Sequence, residues 1–343
     1  MDMNQNEKRV SLFLSGDAVI HESVYMDAMR EDGSFDFDRQ LHSIRDLIRN
    51  YDLAYYNQET PLGGTDLTLS GYPTFNSPVE FGEYMVKSGF NLISTASNHC
   101  LDRGMEGVKR TRDLFHRYPG VLVSGTASVQ EEKDTIASME VNGIRIALVS
   151  WCERLFGNIP EAPYEVNCYA HHEEEMLDEI RRAKKTNDAV ILAIHWGEEY
   201  AEEPTELQRQ LAERCVKVGA DLIVGNHVHV IQPFEMIDHT PVFYAMGNLI
   251  SSQLNPENLL GLTAGMDLVL KEENGKRSVH AEHIRADFIC TLLKGTYPDL
   301  RTDIRVIPYS KLPEPAKEEF RAVRDHFAAN LQRYDDTIEI GSI

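Results

Sequence analysis

The chain has 343 residues, 42% of them apolar and 26% charged, a composition that suits a soluble globular protein and excludes a disordered or fibrous one. Its formal net charge of −21, from 55 acidic against 34 basic residues, opposes binding to a phosphate backbone, so no nucleic-acid partner is expected. Cys100, Cys152, Cys168, Cys215 and Cys290 show no CxxC spacing, and their odd number argues against a disulfide framework. A cytoplasmic, reducing setting fits best, with a trimmed cell-surface form as the alternative. The apolar run Val10 to Leu14 is too short for a signal core or a membrane span, so no membrane segment is expected.

Eight short apolar runs read as strands buried on both faces: Val10–Ser15, Leu53–Tyr56, Asn91–Ala96, Val121–Ser124, Ile144–Ser150, Ala189–Ile194, Asp221–Val224 and Pro241–Met246. Between them, Phe37–Asn50, Pro78–Ser88, Gly104–Tyr118, Glu173–Lys185 and Glu206–Val218 carry apolar residues at three- and four-residue intervals against a charged face. Gly89, Gly120 and Gly219 are placed to close three of these helices. This alternation over the first 250 residues or so implies a layered α/β architecture. Beyond it, Met266–Leu270, His280–Phe288 and Asp303–Ile307 read as strands, with Asn274-Gly275 as hairpin chemistry between the first two, and Pro313–Arg333 as a terminal helix. We expect one large domain over 8–310 and a helical extension over 311–343 that packs on it. The region after about Leu254 is expected either to complete a second sheet or to mediate oligomerisation, and the oligomeric state is open. Gly63–Pro78 and Phe156–Ala170 are the most loop-like stretches and are candidates to overhang a site.

Polar residues gather where these strands end, which is where open α/β sheets place ligands. The first strand leads to Asp17, with His21 four residues on, and the second to Glu59. Asn98 and His99 follow the third, and His195 closes another. His227 and His229 come next, after Gly225, and Asn248 ends the series. On an extended segment alternate residues point the same way, so His227 and His229 are expected to reach one centre, with Gly225 allowing a close backbone approach to it. Imidazole, carboxylate and amide oxygen together suit one or two divalent ions, Mn, Fe or Zn. Two such ions can share a hydroxide, lower its pKa and aim it at phosphorus or a carbonyl carbon, with Glu59 as the carboxylate between them. A lone strand-end histidine is more often structural. It is the series of them that points to metal. His42, His116, His239, His280, His283 and His326 lack this setting and read as surface or structural residues, and His171-His172 as solvated.

Gly16-Asp17, Asn57-Gln58-Glu59, Ser97-Asn98-His99-Cys100-Leu101-Asp102-Arg103-Gly104, His195-Trp196-Gly197-Glu198 and Gly225-Asn226-His227-Val228-His229-Val230-Ile231-Gln232-Pro233 resemble, in order, the motifs of the CapA family of poly-γ-glutamate capsule biosynthesis proteins. That family is similar to the calcineurin-like metallophosphoesterases, which implies a four-layered α/β/β/α sandwich with a two-metal centre. On this resemblance Asp17, Glu59 and His229 would hold one ion, and Glu59, Asn98, His195 and His227 the other. His99 would be the general acid, with Asp102 accepting its other N–H; the alternative for Asp102 is an N-cap of the following helix. The chain departs from the superfamily pattern in having Val19 where a second histidine is expected, which leaves His21 as ligand or substrate contact, and in lacking a Gly-Asp-x-x-Asp motif, which leaves Glu59 alone. Glu198 and Tyr200 are candidate substrate contacts, against a solvated Glu and a packed Tyr. Cys100 reads either as a reactive thiol beside the acid or as a small buried hydrophobe.

The resemblance implies a metal-dependent hydrolase of a phosphoester or a γ-glutamyl amide, acting on a small molecule, a peptide or polyglutamate. A non-hydrolytic capsule-assembly or polyanion-binding factor, and a metal-independent acid–base enzyme such as a peptide epimerase, are the other two readings.

Overall fold

A computed structural model describes residues 8–273, 275–296, 298–341 and 343. In chain order they form β1 (Lys8–Ala18), α1 (Glu22–Ala28), α2 (Asp38–Ile48), β2 (Leu53–Gln58), α3 (Val79–Ser88), β3 (Leu92–Ser94), α4 (Gly104–His116) and β4 (Leu122–Ser124). A short α5 (Gln130–Asp134) and β5 (Ser138–Val141) precede β6 (Ile144–Cys152), α6 (Glu173–Thr186), β7 (Ala189–His195), α7 (Glu206–Val218) and β8 (Leu222–Asn226). The remainder is β9 (Phe234–Ile237), β10 (Thr240–Phe243), β11 (Asn248–Ile250), β12 (Leu260–Glu273), β13 (Lys276–Lys294), β14 (Thr302–Pro308), α8 (Glu314–Leu331) and β15 (Glu339–Ile340).

The period-two alternation of strand side chains sorts these elements into layers. On β1, Val10, Leu12 and Leu14 join one apolar cluster while Phe13 joins another. The first cluster also takes Ile144, Ile146, Leu148, Ile191, Ala193, Leu222 and Val224 from β6, β7 and β8, so it is the seam between two sheets. Phe13, Ala54, Tyr56 and Ile93 face outward onto α1, α2, α3 and α4. On the far side Val149, Trp151, Leu192, Ile194 and Ile223 face α6 and α7. The result is the α/β/β/α sandwich that the family resemblance implied. Each fully buried Val, Leu, Ile or Phe in these clusters contributes about 1.5–3 kcal/mol, so the seam is the main source of cohesion.

The first sheet runs β14-β13-β12-β1-β2-β3-β4, with β11 beside β1 and β15 beside β13; the second runs β5-β6-β7-β8-β10-β9. Its central strands are parallel in each case: β1 to β4 in the first sheet and β6, β7, β8 and β10 in the second. Their carboxyl ends therefore share a direction, and the connections following them carry the site.

Several details differ from the sequence reading. The strands after Leu254 extend the sheet that β1 begins, through antiparallel β12, β13 and β14, rather than completing the second one. Phe320, Phe327, Leu331 and Ile338 of the C-terminal segment are part of the seam between the sheets. Gly89 and Gly219 do cap α3 and α7, but Gly120 does not cap α4, which ends at Arg117 because Pro119 disfavours helical geometry in the residue before it. Asn274 lies outside the described residues; its neighbour Gly275 has the left-handed φ of 75° that a tight hairpin requires. No described helix is long and apolar enough to cross a membrane.

Candidate metal centre

Asp17 reaches the centre because β1 is forced against the segment before β11. A Cβ on Gly16 would lie 1.8 Å from the Gly247 carbonyl oxygen, so only glycine permits this approach. Asp17 then pairs in register with Asn57 on one side and Asn248 on the other. Its carboxylate accepts the Asn57 amide at 2.7 Å and the His227 backbone N–H at 2.9 Å. Glu59 follows β2, and the Ser97 hydroxyl donates to its carbonyl at 2.6 Å, tying it to the turn that carries Asn98 and His99.

From the second sheet, His195 closes β7, and its Nε2 lies 2.9 Å from Asn98 Oδ1 and 3.1 Å from His227 Nδ1. His227 and His229 follow β8, but not on an extended segment as the sequence reading assumed. Their φ values are 97° and 62°, left-handed geometry that is rare for side chains of this size and costs of order 1–3 kcal/mol per residue. The turn is held by the His227 N–H on Asp17, the Tyr200 N–H on the Val228 carbonyl at 2.7 Å, and Asn258 on the His229 carbonyl at 3.1 Å. Gly225 also serves a different purpose from the one expected. A Cβ there would meet the Tyr244 carbonyl at 1.8 Å and the Trp196 ring nitrogen at 2.7 Å, so it admits β10 and Trp196 rather than a ligand.

Asp17, Glu59 and His195 each offer one ligand atom, and these lie within 4.8 Å of one another. His229 bridges the two carboxylates, 3.7 Å from Asp17 through Nδ1 and 3.7 Å from Glu59 through Nε2. Its Nδ1 is also 3.1 Å from Asn248 Oδ1. Glu59 is 0% exposed, and neither of its carboxylate oxygens has a hydrogen-bond partner among the described residues. Burial pushes the Asp17 carboxyl up to about 7, against the His227 and Asn57 hydrogen bonds that lower it. Burial, with Asp17 as the nearest like charge, pushes Glu59 well above the carboxylate range. Burial also depresses the imidazoles, His227 to about 3, His229 to about 4 and His195 well below its usual value. Two acidic groups and three neutral imidazoles, with both Glu59 oxygens unpartnered, are a donor set that fits a divalent ion, and an ion would remove the cost of leaving Glu59 unpaired.

His99 stands at the edge of this cluster. Its Nδ1 is 2.8 Å from Asp102 Oδ2, which also accepts the Phe75 backbone N–H at 2.6 Å. Asp102 does not cap α4; Arg103 occupies that position. Phe75 packs edge-on against the His99 ring at 4.7 Å and Phe156 tilts over it at 5.3 Å, so both loop-like stretches of the sequence do overhang the cluster. His21 also meets the Phe75 ring, edge-on at 5.3 Å. Burial, followed by the charges of His229 and Arg301, lowers its pKa to about 3.

Tyr200 is 51% exposed, with its ring 6.1 Å from His229. Glu198 is not brought to the cluster and lines a separate surface cleft with Gly197, Gln208 and Arg214. Its exposed neighbour Glu199 acts electrostatically on Tyr200 and, after Asp17, on Glu59. Arg301 is another residue the sequence reading passed over. It donates to Ser252 at 3.0 Å, and its buried Nε has no hydrogen-bond partner among the described residues. Cys100 is 6% exposed among apolar side chains, with its thiol pushed up to about 12 by burial.

The layers and the cluster at their strand ends define an α/β/β/α sandwich with a buried acid–imidazole centre. Residues 11–253 match the family described as bacterial capsule synthesis protein PGA_cap, and the chain belongs to that family. It is 33% identical to the PGA biosynthesis protein CapA of Bacillus subtilis (strain 168) over 164 residues, which cover 48% of this chain and 43% of that one. It is 29% identical to the capsule biosynthesis protein CapA of Bacillus anthracis over 224 residues, or 63% and 54% of the two chains. The chain thus spans about half the length of the curated relatives it matches. Among solved structures it is similar to the calcineurin-like phosphoesterase YfkN of Bacillus subtilis, with a TM-score of 0.45 and 14% identity over 81% of this chain and 90% of that one.

Proposed function

We propose that the chain is a metal-dependent hydrolase that cleaves a phosphoester or a γ-glutamyl amide, with a link to poly-γ-glutamate metabolism. The observation that carries this reading is the Glu59 carboxylate, fully buried and unpartnered among Asp17, His195 and His229. Asp17, Glu59 and His229 would hold one ion, and Glu59, Asn98, His195 and His227 a second; Mn, Fe and Zn all suit such donors. When bound, the ions supply Lewis acidity, activating water and drawing charge from the group under attack.

The chain's own residues do the rest. His99 stands clear of the five buried donors, and its Nδ1 contact with Asp102 leaves Nε2 to deliver a proton to the leaving group. Phe75 and Phe156 fix the ring and exclude water from it. Arg301, and Arg154 in its ion pair with Glu153, act electrostatically on His21 and His227. These cations support an anionic substrate, either a phosphate or the free carboxylates of a γ-linked glutamyl chain. The buried position of Cys100 supports reading it as a packing residue rather than a proton carrier.

The test is metal analysis of the purified protein, followed by p-nitrophenyl phosphate and γ-glutamyl peptide assays on wild type and His227→Ala. Metal-dependent turnover of one substrate class, lost in the variant, is the expected result. Activity without metal that survives in the variant would sink the proposal, and bound metal with no turnover on either class would favour a polyanion-binding factor in capsule assembly.

A further inference from the structure

Three of the five thiols lie together beside the metal centre, although the sequence spaces them far apart. Cys100, Cys152 and Cys168 share one small apolar cluster with Leu101, Val108 and Val166. Within it Cys152 and Cys168 are the close pair. They are partners in a parallel β-bridge, flanked by the Cys152 N–H on the Asn167 carbonyl at 2.8 Å and the Tyr169 N–H on the Cys152 carbonyl at 2.9 Å. Bridged strands run about 4.8 Å apart. That is within the roughly 4.4–6.8 Å Cα separation a disulfide spans. The Cys168 thiol donates to the Glu153 carbonyl at 3.4 Å, and each of the two thiols acts on the titration of the other. All five cysteines are free thiols in this structure.

The two differ in access. Cys152 is completely buried, whereas Cys168 is half-buried at the end of the loop. Its Cys152 neighbour lowers the Cys168 thiol to about 7, against the burial that raises it, and a lowered thiol is the better attacking group.

From the bridge geometry and the unequal access, we infer that Cys152 and Cys168 form a reversible disulfide by exchange with a low-molecular-weight disulfide such as oxidised glutathione. Cys168 thiolate attacks one glutathione sulfur and expels glutathione thiolate. Cys152, deprotonated as it attacks, then displaces the second glutathione from Cys168. Two protein thiols are oxidised, one glutathione disulfide is reduced to two thiols, and the two protons pass to them. The exchange needs neither metal nor substrate.

Its consequence falls on the loop between the two residues. Glu153 to Asn167 carries Phe156, whose ring covers His99 and whose N–H donates to the Asn98 carbonyl at 2.7 Å. Asn158 donates to the Leu101 carbonyl at 2.6 Å. A covalent bond at the base would fix this strap over the Asn98–His99 turn.

The experiment uses the full chain incubated with oxidised glutathione, then alkylated and mapped without reduction. Expected are the loss of two alkylatable thiols, a Cys152–Cys168 cross-linked peptide, and slower trypsin cleavage after exposed Arg154, with dithiothreitol reversing all three. Cys152→Ser should instead accumulate glutathione on Cys168, and Cys168→Ser should leave Cys152 unmodified. Free Cys168 after incubation, a stable glutathione adduct on wild-type Cys168, or pairing with Cys100 would each overturn the inference. The wild-type map decides the matter even if a variant fails to fold.

Discussion

Two ends of one strand show how differently a carboxylate drawn out of solvent can be used. Just before β8, Asp221 accepts both a bidentate contact from Lys184 at 2.8 Å and the Val190 N–H at 2.7 Å. Burial still raises its pKa, but every oxygen has a donor. At the far end of β8, Glu59 faces the His227–His229 turn from the opposite sheet with neither oxygen paired among the described residues. Burial raises both, although Glu59 is fully buried and Asp221 only partly. What separates them is whether the fold supplies the counter-charge or leaves that to something bound. A structural ion pair completes itself, and a centre built for a ligand does not.

The contrast can be broken by mutation, and the largest effect should come from the incomplete end. Glu59→Met or His227→Ala is expected to cut metal-dependent turnover on the order of 10³-fold, the loss of about 4 kcal/mol of transition-state stabilisation, read as kcat/KM at saturating metal. His99→Gln should cost about 10²-fold while metal content stays unchanged, which separates a proton donor from a ligand. Asp221→Ala should lower unfolding free energy by about 1–3 kcal/mol in denaturant titrations, a figure reduced because Lys184 retains about a third of its side-chain exposure, with kcat/KM preserved. The smallest effect sharpens the comparison most. In metal-free protein, Glu59→Met should raise stability by about 1 kcal/mol, since an unpaired buried carboxyl is replaced by an apolar group of similar size. A loss of stability there would mean that Glu59 has an internal partner after all.

Much of this contrast was legible in the sequence. The parallel strands announced themselves as apolar runs because they are buried on both faces, as in β6, β7 and β8. The edge strands did not. β5 is only partly buried, and β9 is buried only at Phe234, so neither shows a continuous apolar run. Helix α1, with seven residues, is too short to establish a period. For β12 and β13 only the middle was read: the ends joined by the hairpin are polar, whereas Leu260, Leu262 and Ala264 of β12 and Ile289 and Cys290 of β13 are apolar core residues that the reading passed over.

At the site, the imidazoles and acids were visible as a series of strand endings. Their backbone geometry was not, since no spacing rule predicts left-handed histidines held by contacts from Asp17, Tyr200 and Asn258. After His195, Gly197 and Tyr200 both take positive φ, at 91° and 67°, so the chain turns and the alternation that would have placed Glu198 and Tyr200 is lost. Arg301 arrives from a segment distant in sequence, and only the packing of β14 beside β13 brings it to His21 and Ser252.

The most direct test is the metal stoichiometry of wild type, Glu59→Met and Asp221→Asn, each loaded with excess Mn²⁺ or Zn²⁺, desalted and measured by elemental mass spectrometry. Close to two ions per wild-type chain, the same number in Asp221→Asn and a clear loss in Glu59→Met are predicted. A wild-type chain that retains none, or a Glu59→Met chain that retains as many as wild type, would contradict the assignment of this cluster as a two-metal centre.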